Sequence, residues 1–142
     1  MSGSAYSALR LVANALAEAG QPGPALAALQ EAFTEAIGYK LFTILLYEPS
    51  ARLVRRAFSS MPEAYPVGGT KPLTEETPWT QQVLGRGEVF VGHERDDIRL
   101  VFPDYELIWS LGCESVVNLP VRWDGHVIGT CNLLHQRRWY SD

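Results

Sequence analysis

The segment that most constrains the fold is Leu111–Leu134, LGCESVVNLPVRWDGHVIGTCNLL, in which two runs of strand-forming residues flank Asp124-Gly125. Both residues of this pair tolerate the positive φ angles that a two-residue hairpin turn requires. The pattern therefore predicts a β-hairpin in which Trp123 faces His126 across the turn. Both faces of the two strands are mostly apolar, so we expect other elements to cover each face.

Counting back from the turn gives the expected register of the hairpin. Leu119 should pair with Thr130, because pairs on one face follow at intervals of two residues along each strand. This register places Asn118 and Asn132 on opposite faces of the sheet. It also places Gly129 tightly beneath an N-terminal helix, where a larger side chain would be costly.

The remaining elements follow from hydrophobic periodicity and from the positions of Gly and Pro. In chain order they are helices at 6–19 and 24–37, strands at 41–47 and 53–59, a long loop at 60–76, a short helix at 79–84, a strand at 88–92, a helix from 103 to 111 and the hairpin. They predict an α+β fold with an antiparallel sheet of five or six strands, helices on both faces and the hairpin at the centre. No linker or repeat interrupts the chain, so we expect one stand-alone domain over 1–142.

Charge and apolar patterning argue against several functions. The net charge is −4 and the pI is about 5.4, which gives no general attraction to nucleic acid or to an anionic membrane surface. The basic residues Arg52, Arg55 and Arg56 are interpreted as a solvated strand edge. No signal peptide and no apolar run of about 20 residues is evident, so we expect a cytoplasmic protein. Cys113 and Cys131 are expected to be buried free thiols, and the histidines lack the spacing of metal ligands.

Several segments of the chain resemble the GAF family, a small-molecule sensor fold related to PAS domains. LGCESVVNLPV is similar to the family's lGi-S-l-vPv strand, and GHVIGTCNLL is similar to its g-viGvl-l strand. VLGRGEVFVGH resembles the segment after the third helix, and the order of elements also matches. The resemblance implies that a ligand binds between one face of the sheet and the neighbouring helices. It also implies that N-terminal helices cover the other face and build a homodimer.

Two departures from the family pattern bear on function. No closing helix is evident after Arg138, so an apolar stripe on the first helix would lack its usual cover and could find it in a second copy. The stripe comprises Tyr6, Leu9, Ala13 and Leu16. His135-Gln136 stands where members that bind cyclic nucleotides carry Asn-Lys, so we do not expect a cyclic nucleotide.

A set of four residues predicts one wall of the pocket. Phe102, Glu106, Trp109 and Cys113 are spaced by four, three and four, which places them along one helical face. These positions match pocket positions of the family. By the same resemblance the remaining wall residues are Thr43, Phe58, Ser59, Trp79, Thr80 and Asn132. The alternative is that Phe102 and Trp109 are ordinary core residues and that Glu106 points to water.

Glu106 and Asn132 determine the ligand that we expect. As a carboxylate Glu106 only accepts hydrogen bonds, whereas the amide of Asn132 both donates and accepts them. Between flat aromatic walls, these two groups favour a small planar ligand with N–H donors and disfavour an anionic one. The residues name no cofactor.

The sequence thus predicts a small-molecule-binding sensor domain, with two alternatives. One is a thiol-dependent reductase of free methionine sulfoxide, a reaction carried out by one branch of the family. Cys113 lies near the relevant region, but Cys131 lies inside a strand and offers no evident partner thiol. The other alternative is an interaction module whose pocket is collapsed. No catalytic motif stands out, so no catalytic residue is assigned.

Overall fold

The computed structural model describes residues 3–141, and the chain divides into two compact units, Met1–Tyr39 and Lys40–Asp142. The first unit is helical, and the second consists of a sheet with short helices. The single domain expected over 1–142 stays a prediction. Within 3–141, every helix is too short or too polar to span a bilayer.

The helical unit is a pair of helices that pack against each other, α1 (Gly3–Leu16) and α2 (Gly23–Ala36). Small side chains are buried on both helices, which lets the two backbones approach closely. They are Ala8, Ala15, Ala28 and Ala32. The apolar stripe predicted on α1 is exposed, because α1 packs through its alanines instead.

The second unit contains six strands, β1 (Leu41–Glu48), β2 (Leu53–Ser59), β3 (Thr70–Pro72), β4 (Phe90–Gly92), β5 (Ser115–Trp123) and β6 (His126–His135). They form one antiparallel sheet in the order β3-β2-β1-β6-β5-β4. The predicted α+β fold with an antiparallel sheet is therefore confirmed. β6 lies at its centre, between β1 and β5. The edge strand β3 forms inside the segment that the sequence predicted to be a loop.

The β5–β6 hairpin has the predicted turn but not the predicted register. Asp124 and Gly125 have φ angles of 51° and 78°, and Trp123 pairs with His126 as expected. A β-bulge follows, because Arg122 pairs with Val127 and Val121 with Gly129, which leaves one extra residue in β6. Beyond this bulge the register moves by one residue. The predicted pair of Leu119 with Thr130 is therefore wrong, since Leu119 pairs with Cys131.

The shifted register changes which side chains share a face. Asn118 pairs with Asn132, and Asn132 pairs with Thr43 of β1 on its other side, so all three side chains lie on the same face. Gly129 approaches the neighbouring strand closely, because a Cβ atom there would overlap the carbonyl oxygen of Leu45. The predicted intolerance of a side chain at Gly129 thus has its cause in the backbone of β1.

Three short helical segments pack against the face that carries the two asparagines. They are a π-helix (Thr80–Gly85), α3 (Arg95–Val101) and α4 (Tyr105–Ser110). The hydrophobic core between these segments and the sheet includes Leu41, Val54, Trp79, Val83, Ile98, Ile108, Val116 and Leu134.

A break between α3 and α4 separates residues that the sequence placed on one helical face. Phe102 has an extended backbone, with φ −112° and ψ 127°, because Pro103 disfavours the helical conformation in the residue that precedes it. Phe102 therefore does not belong to the helix that carries Glu106. The continuous face predicted from Phe102 to Cys113 does not form.

Candidate functional site

A chain of buried hydrogen bonds runs across the sheet face that is covered by the short helices. The amide nitrogen of Asn132 donates to Thr43 Oγ1 at 3.2 Å, and Asn132 Oδ1 accepts bonds from Asn118 Nδ2 at 2.7 Å and Thr130 Oγ1 at 3.0 Å. The indole N–H of Trp79 donates to Asn118 Oδ1 at 3.1 Å. The two asparagines are fully buried, so this network fixes the ring of Trp79 against the sheet.

The fixed ring of Trp79 forms part of the wall of a cavity of about 320 Å³. This volume is at the lower end of the range for small-molecule sites, roughly 300–1,000 Å³. Its apolar walls are Leu45, Val54, Trp79, Val101, Phe102 and Pro103. Its polar lining residues are Thr43, Arg56, Tyr65, Thr70, Lys71 and Asp104. The cavity therefore combines flat apolar surfaces with three charged side chains.

Arg56, Tyr65 and Asp104 form one cluster at this cavity. The guanidinium carbon of Arg56 lies 3.6 Å from the centroid of the Tyr65 ring, and Arg56 Nη2 lies 3.6 Å from Asp104 Oδ2. The hydroxyl of Tyr65 donates to Asp104 Oδ1 at 3.1 Å. Burial and the charge of Asp104 raise the pKa of Tyr65 well above its usual range, so the phenol stays a hydrogen-bond donor.

Lys71 brings the second cation to the cavity from the edge strand β3. Its ammonium group donates to the carbonyl oxygen of Val101 at 2.7 Å and lies 5.1 Å from the centroid of the Trp79 ring. Burial lowers the pKa of Lys71, and the charge of Asp104 partly opposes that effect. The ammonium is therefore held in a partly desolvated position beside an aromatic face.

Four of the sequence-predicted site residues lie together at the cavity. Thr43, Trp79 and Phe102 line it, and Asn132 lies behind Thr43 in the buried network. The polar groups of Asn132 are bonded to neighbouring side chains. They are therefore committed to the sheet rather than presented to a ligand. Ser59 is buried next to them, since it pairs with Thr43 and its hydroxyl accepts the backbone N–H of Met61.

The other predicted site residues lie elsewhere. Glu106 is exposed on α4, and Trp109 is half-buried, with its indole N–H bonded to the carbonyl oxygen of Arg95 at 3.3 Å. Phe58 packs on Phe42, with ring centroids 5.3 Å apart, on the sheet face that points away from the cavity. Thr80 is bonded to Thr77 at the start of the π-helix and lines a different surface cavity. The break at Pro103 separates Glu106 and Trp109 from Phe102. The bulge that β2 makes opposite β1 turns Phe58 away from the cavity.

The sequence reasoning missed the charged residues of the cavity. The side chain of Arg56 is only 12% exposed, so its interpretation as part of a solvated edge is wrong. Arg55 does fit that interpretation, since it is exposed and pairs with Glu48. Alternation along β2 could have found Arg56, because it lies two residues from the buried Val54. Asp104 belongs to no regular pattern that could have assigned it.

The two cysteines are poor nucleophiles in this fold. Burial raises the pKa of both Cys113 and Cys131 to about 11, so their thiolates are scarce at neutral pH. Cys113 belongs to the core under the short helices, whereas Cys131 lies on the opposite face of the sheet, between Thr130 and Asn132. A thiol on each face of a sheet cannot act as an attacking and resolving pair. Within the described part of the chain, no cluster of His, Cys, Asp and Glu could hold a metal ion.

Comparison with solved structures identifies the fold. A GAF domain from an Acinetobacter phosphoenolpyruvate-protein phosphotransferase has a TM-score of 0.72 and 17% identity, over 100% of this chain and 84% of that one. The GAF domain of a two-component sensor histidine kinase from Bacillus halodurans has a TM-score of 0.64 and 11% identity, over 82% and 78%. A free methionine-R-sulfoxide reductase from Neisseria meningitidis, in complex with its substrate, has a TM-score of 0.57 and 15% identity, over 99% and 81%.

The shared architecture is an α+β domain with one antiparallel sheet and short helices packed against it. This is the GAF fold, as the sequence segments around the central hairpin predicted. No family model matches the chain, and no curated protein matches it. At identities of 11–17%, the structural similarity establishes the fold and leaves function to be argued from the site.

Proposed function

We propose that this chain is a small-molecule-binding sensor domain whose ligand occupies the cavity between the sheet and the 101–104 segment. The single observation that carries this proposal is the pairing of a fixed aromatic wall, Trp79, with the charged side chains of Arg56, Lys71 and Asp104. Ligand sites typically combine mostly apolar walls with a few polar groups that fix orientation.

The hydrogen bonds of Trp79 support a binding role for this wall. Its indole N–H is bonded to Asn118, and the same network holds Asn132 and Thr43, so the ring has a defined orientation. A wall that is already ordered loses little conformational entropy when a ligand packs on it. The cavity is therefore preorganised on its sheet side.

The exposed part of the charged cluster gives this cavity polar groups at its entrance. The side chain of Asp104 is 34% exposed and that of Arg56 is 12% exposed, so the cluster extends from solvent into the cavity. A role in sensing is further supported by the B. halodurans domain of the same fold, which belongs to a sensor histidine kinase. We carry that role to this chain as part of the proposal.

Native mass spectrometry of the purified protein tests the proposal, together with a thermal-shift screen of metabolites. We expect a retained small molecule or a stabilising compound that quenches tryptophan fluorescence. The quench should disappear in Trp79→Phe and persist in the matched control Trp123→Phe, whose side chain is at the hairpin turn and 74% exposed. A clean unliganded mass with no stabilising compound would contradict the proposal and favour the interaction module.

A further inference from the structure

We propose that the cavity selects a small monocarboxylate with a flat apolar body, a ligand class that rests on the function proposed above. Two cations, Arg56 and Lys71, converge on the cavity with one carboxylate, Asp104. The lining residues therefore have a net charge of +1. This surplus is the main determinant of the ligand class.

The ion pair between Arg56 and Asp104 leaves hydrogen-bonding capacity for a second carboxylate. The two side chains are separated by 3.6 Å, whereas a charge-assisted hydrogen bond is shorter, about 2.7–2.9 Å. Asp104 also accepts a hydrogen bond from the hydroxyl of Tyr65, so one of its two carboxylate oxygens is already engaged away from the guanidinium. A guanidinium has five N–H donors in a planar fork, so Arg56 can bind a ligand carboxylate through two of them.

Lys71 lies on the same face of the sheet as Arg56, and both residues line the cavity. Val54 pairs with Lys71, and the backbone N–H of Arg56 bonds to the carbonyl oxygen of Gly69, so Arg56 and Lys71 are diagonal neighbours across β2 and β3. Diagonal neighbours in an antiparallel pair have Cα atoms about 7–8 Å apart. An anion placed between two long cationic side chains at this separation can contact both.

The partial burial of Lys71 also favours an anionic ligand. Its ammonium donates to Val101, and a protonated amine has three donors. Burying a cation without a matched anion is unfavourable, and the nearby Asp104 is shared with Arg56 and Tyr65. A bound carboxylate would supply the missing negative charge in a partly desolvated site.

The size and walls of the cavity define the rest of the ligand. A volume of about 320 Å³ corresponds to about ten water molecules at roughly 30 Å³ each, so the cavity accommodates only a small ligand. Trp79 and Phe102 provide flat apolar surfaces, and Leu45 and Val54 cover the sheet side. Inorganic phosphate would bring a second negative charge toward Asp104 and would leave these apolar surfaces uncovered.

This class differs from the N–H-bearing ligand that the sequence favoured. That expectation depended on Glu106 as an acceptor in the cavity, and Glu106 is exposed on α4. It also depended on free amide groups at Asn132, which are bonded to Thr43, Asn118 and Thr130. The charged side chains that do line the cavity have a net positive charge, so they favour an anionic ligand.

Isothermal titration with four probes, three of them of similar size, tests the class. The probes are phenylacetate, its neutral analogue phenylacetamide, the cation 2-phenylethylamine and inorganic phosphate. We expect phenylacetate to bind at least tenfold more tightly than each of the other three, with an affinity that falls as salt rises. Equal or tighter binding of any other probe would overturn the class. Failure of phenylacetate to bind at millimolar concentration would also overturn it.

Charge variants identify the residues responsible. Arg56→Gln and Lys71→Gln should each weaken phenylacetate binding at least tenfold and change phenylacetamide binding little, while Arg56→Lys should restore part of the affinity. Asp104→Asn should strengthen phenylacetate binding, because it removes a repulsive charge. The matched control is Arg55→Gln on the same strand, since Arg55 is exposed and pairs with Glu48. A carboxylate preference that persists in both Gln variants would overturn the assignment.

Failure of this class and failure of the proposed function give different results. If phenylacetamide or 2-phenylethylamine binds and quenches Trp79 while phenylacetate does not, the carboxylate class is wrong and the cavity remains a ligand site. If none of the probes binds and the native mass is also that of the unliganded chain, both proposals fail. Melting curves of each variant show whether a loss of binding is merely a loss of fold.

Discussion

Asn118 is the residue on which the orientation of Trp79 depends. Its side chain accepts the indole N–H of Trp79 and donates to Asn132, and it is fully buried. The substitution Asn118→Ala leaves both partners without their bond, and an unsatisfied buried polar group costs about 1–3 kcal/mol. We therefore expect urea denaturation to show that the free energy of unfolding falls by about 1–3 kcal/mol or more.

A double-mutant cycle isolates the contribution of the Asn118–Trp79 bond. Trp79→Phe removes the donor, so Asn118→Ala should cost less in a chain that already carries Trp79→Phe than in the native chain. Equal costs in both backgrounds would show that the bond does not couple the two residues. The same cycle, repeated with bound ligand, reports whether orientation of the ring contributes to affinity.

Gly129 is a second residue at which the structure permits little change. A Cβ atom there would overlap the carbonyl oxygen of Leu45, which belongs to the adjacent strand and cannot move without breaking the β1–β6 pairing. We expect Gly129→Val to lower the free energy of unfolding by roughly 1–3 kcal/mol or more. Gly85→Ala is the control, because its Cβ would lie at an ordinary 3.6 Å from the carbonyl oxygen of Thr80. An unchanged melting temperature for Gly129→Val would contradict the close approach.

Among the elements, α3 connects the cavity to the segment that follows β6. Its last residue, Val101, lines the cavity, and Glu94, which precedes its first turn, accepts hydrogen bonds from Arg137 and Arg138. The backbone N–H of Arg138 also donates to the carbonyl oxygen of His93 at 2.9 Å. A displacement of α3 by a ligand would therefore act directly on the anchoring of residues 136–141.

The anchoring of this segment should depend on pH through Glu94. Hydrogen bonds from Arg137 and Arg138 hold the pKa of Glu94 below its usual value of 4.5. A lowered carboxylate pKa gives a stabilisation that is complete above the usual pKa and is lost as pH falls through the folded-state pKa. We therefore expect the protection factor of the Arg138 amide against hydrogen exchange to fall below about pH 4.5.

Two variants separate Glu94 from other acid-sensitive groups. Glu94→Gln should show low protection of the Arg138 amide at every pH, without the acid transition. Glu114→Gln is the matched control, because Glu114 is a nearby carboxylate that pairs with Arg95 instead. Full protection in Glu94→Gln would show that the ion pairs do not anchor the segment.

The observed elements also show where sequence patterns fail to predict the structure. Asp124-Gly125 predicted the turn because its φ angles are a local requirement, but nothing local in Val127–Gly129 marks the bulge that moves the register. Pro103 contained a usable signal, since the residue before a proline avoids the helical conformation. Applied to Phe102, that rule would have divided the predicted face between Phe102 and Glu106.

At the scale of the whole chain, the fold was predictable and the charged part of the site was only partly so. Strand patterns and turns recur along the sequence and specify the sheet, whereas Tyr65 and Asp104 meet through loops that have no periodicity. Their contact depends on long-range packing, which no short segment encodes. Arg56 lies between these cases, because its position on β2 follows from alternation but its partners do not.

The helical unit carries the surface on which assembly would depend. Tyr6, Leu9 and Leu16 of α1 are 59%, 57% and 62% exposed, and Leu9 also borders an apolar groove of about 430 Å³ between α1 and α2. Exposed apolar side chains aligned along one helix typically mark an interaction surface. The homodimer through the N-terminal helices, which the resemblance implied, remains our expectation.

Leu9→Glu tests this dimer because a two-fold interface contains each residue twice. Burying a leucine contributes about 1.5–3 kcal/mol, so losing two of them costs about 3–6 kcal/mol and weakens dimerisation by about 10²–10⁴-fold. Sedimentation velocity should show a dimer for the native chain and a monomer for Leu9→Glu at the same concentration. Asn14→Glu adds the same charge to an exposed position of α1 outside the stripe, and it should leave the dimer intact. A native chain that sediments as a monomer at high micromolar concentration would contradict the dimer. If both variants dissociated equally, the effect would be due to charge rather than to loss of the apolar stripe.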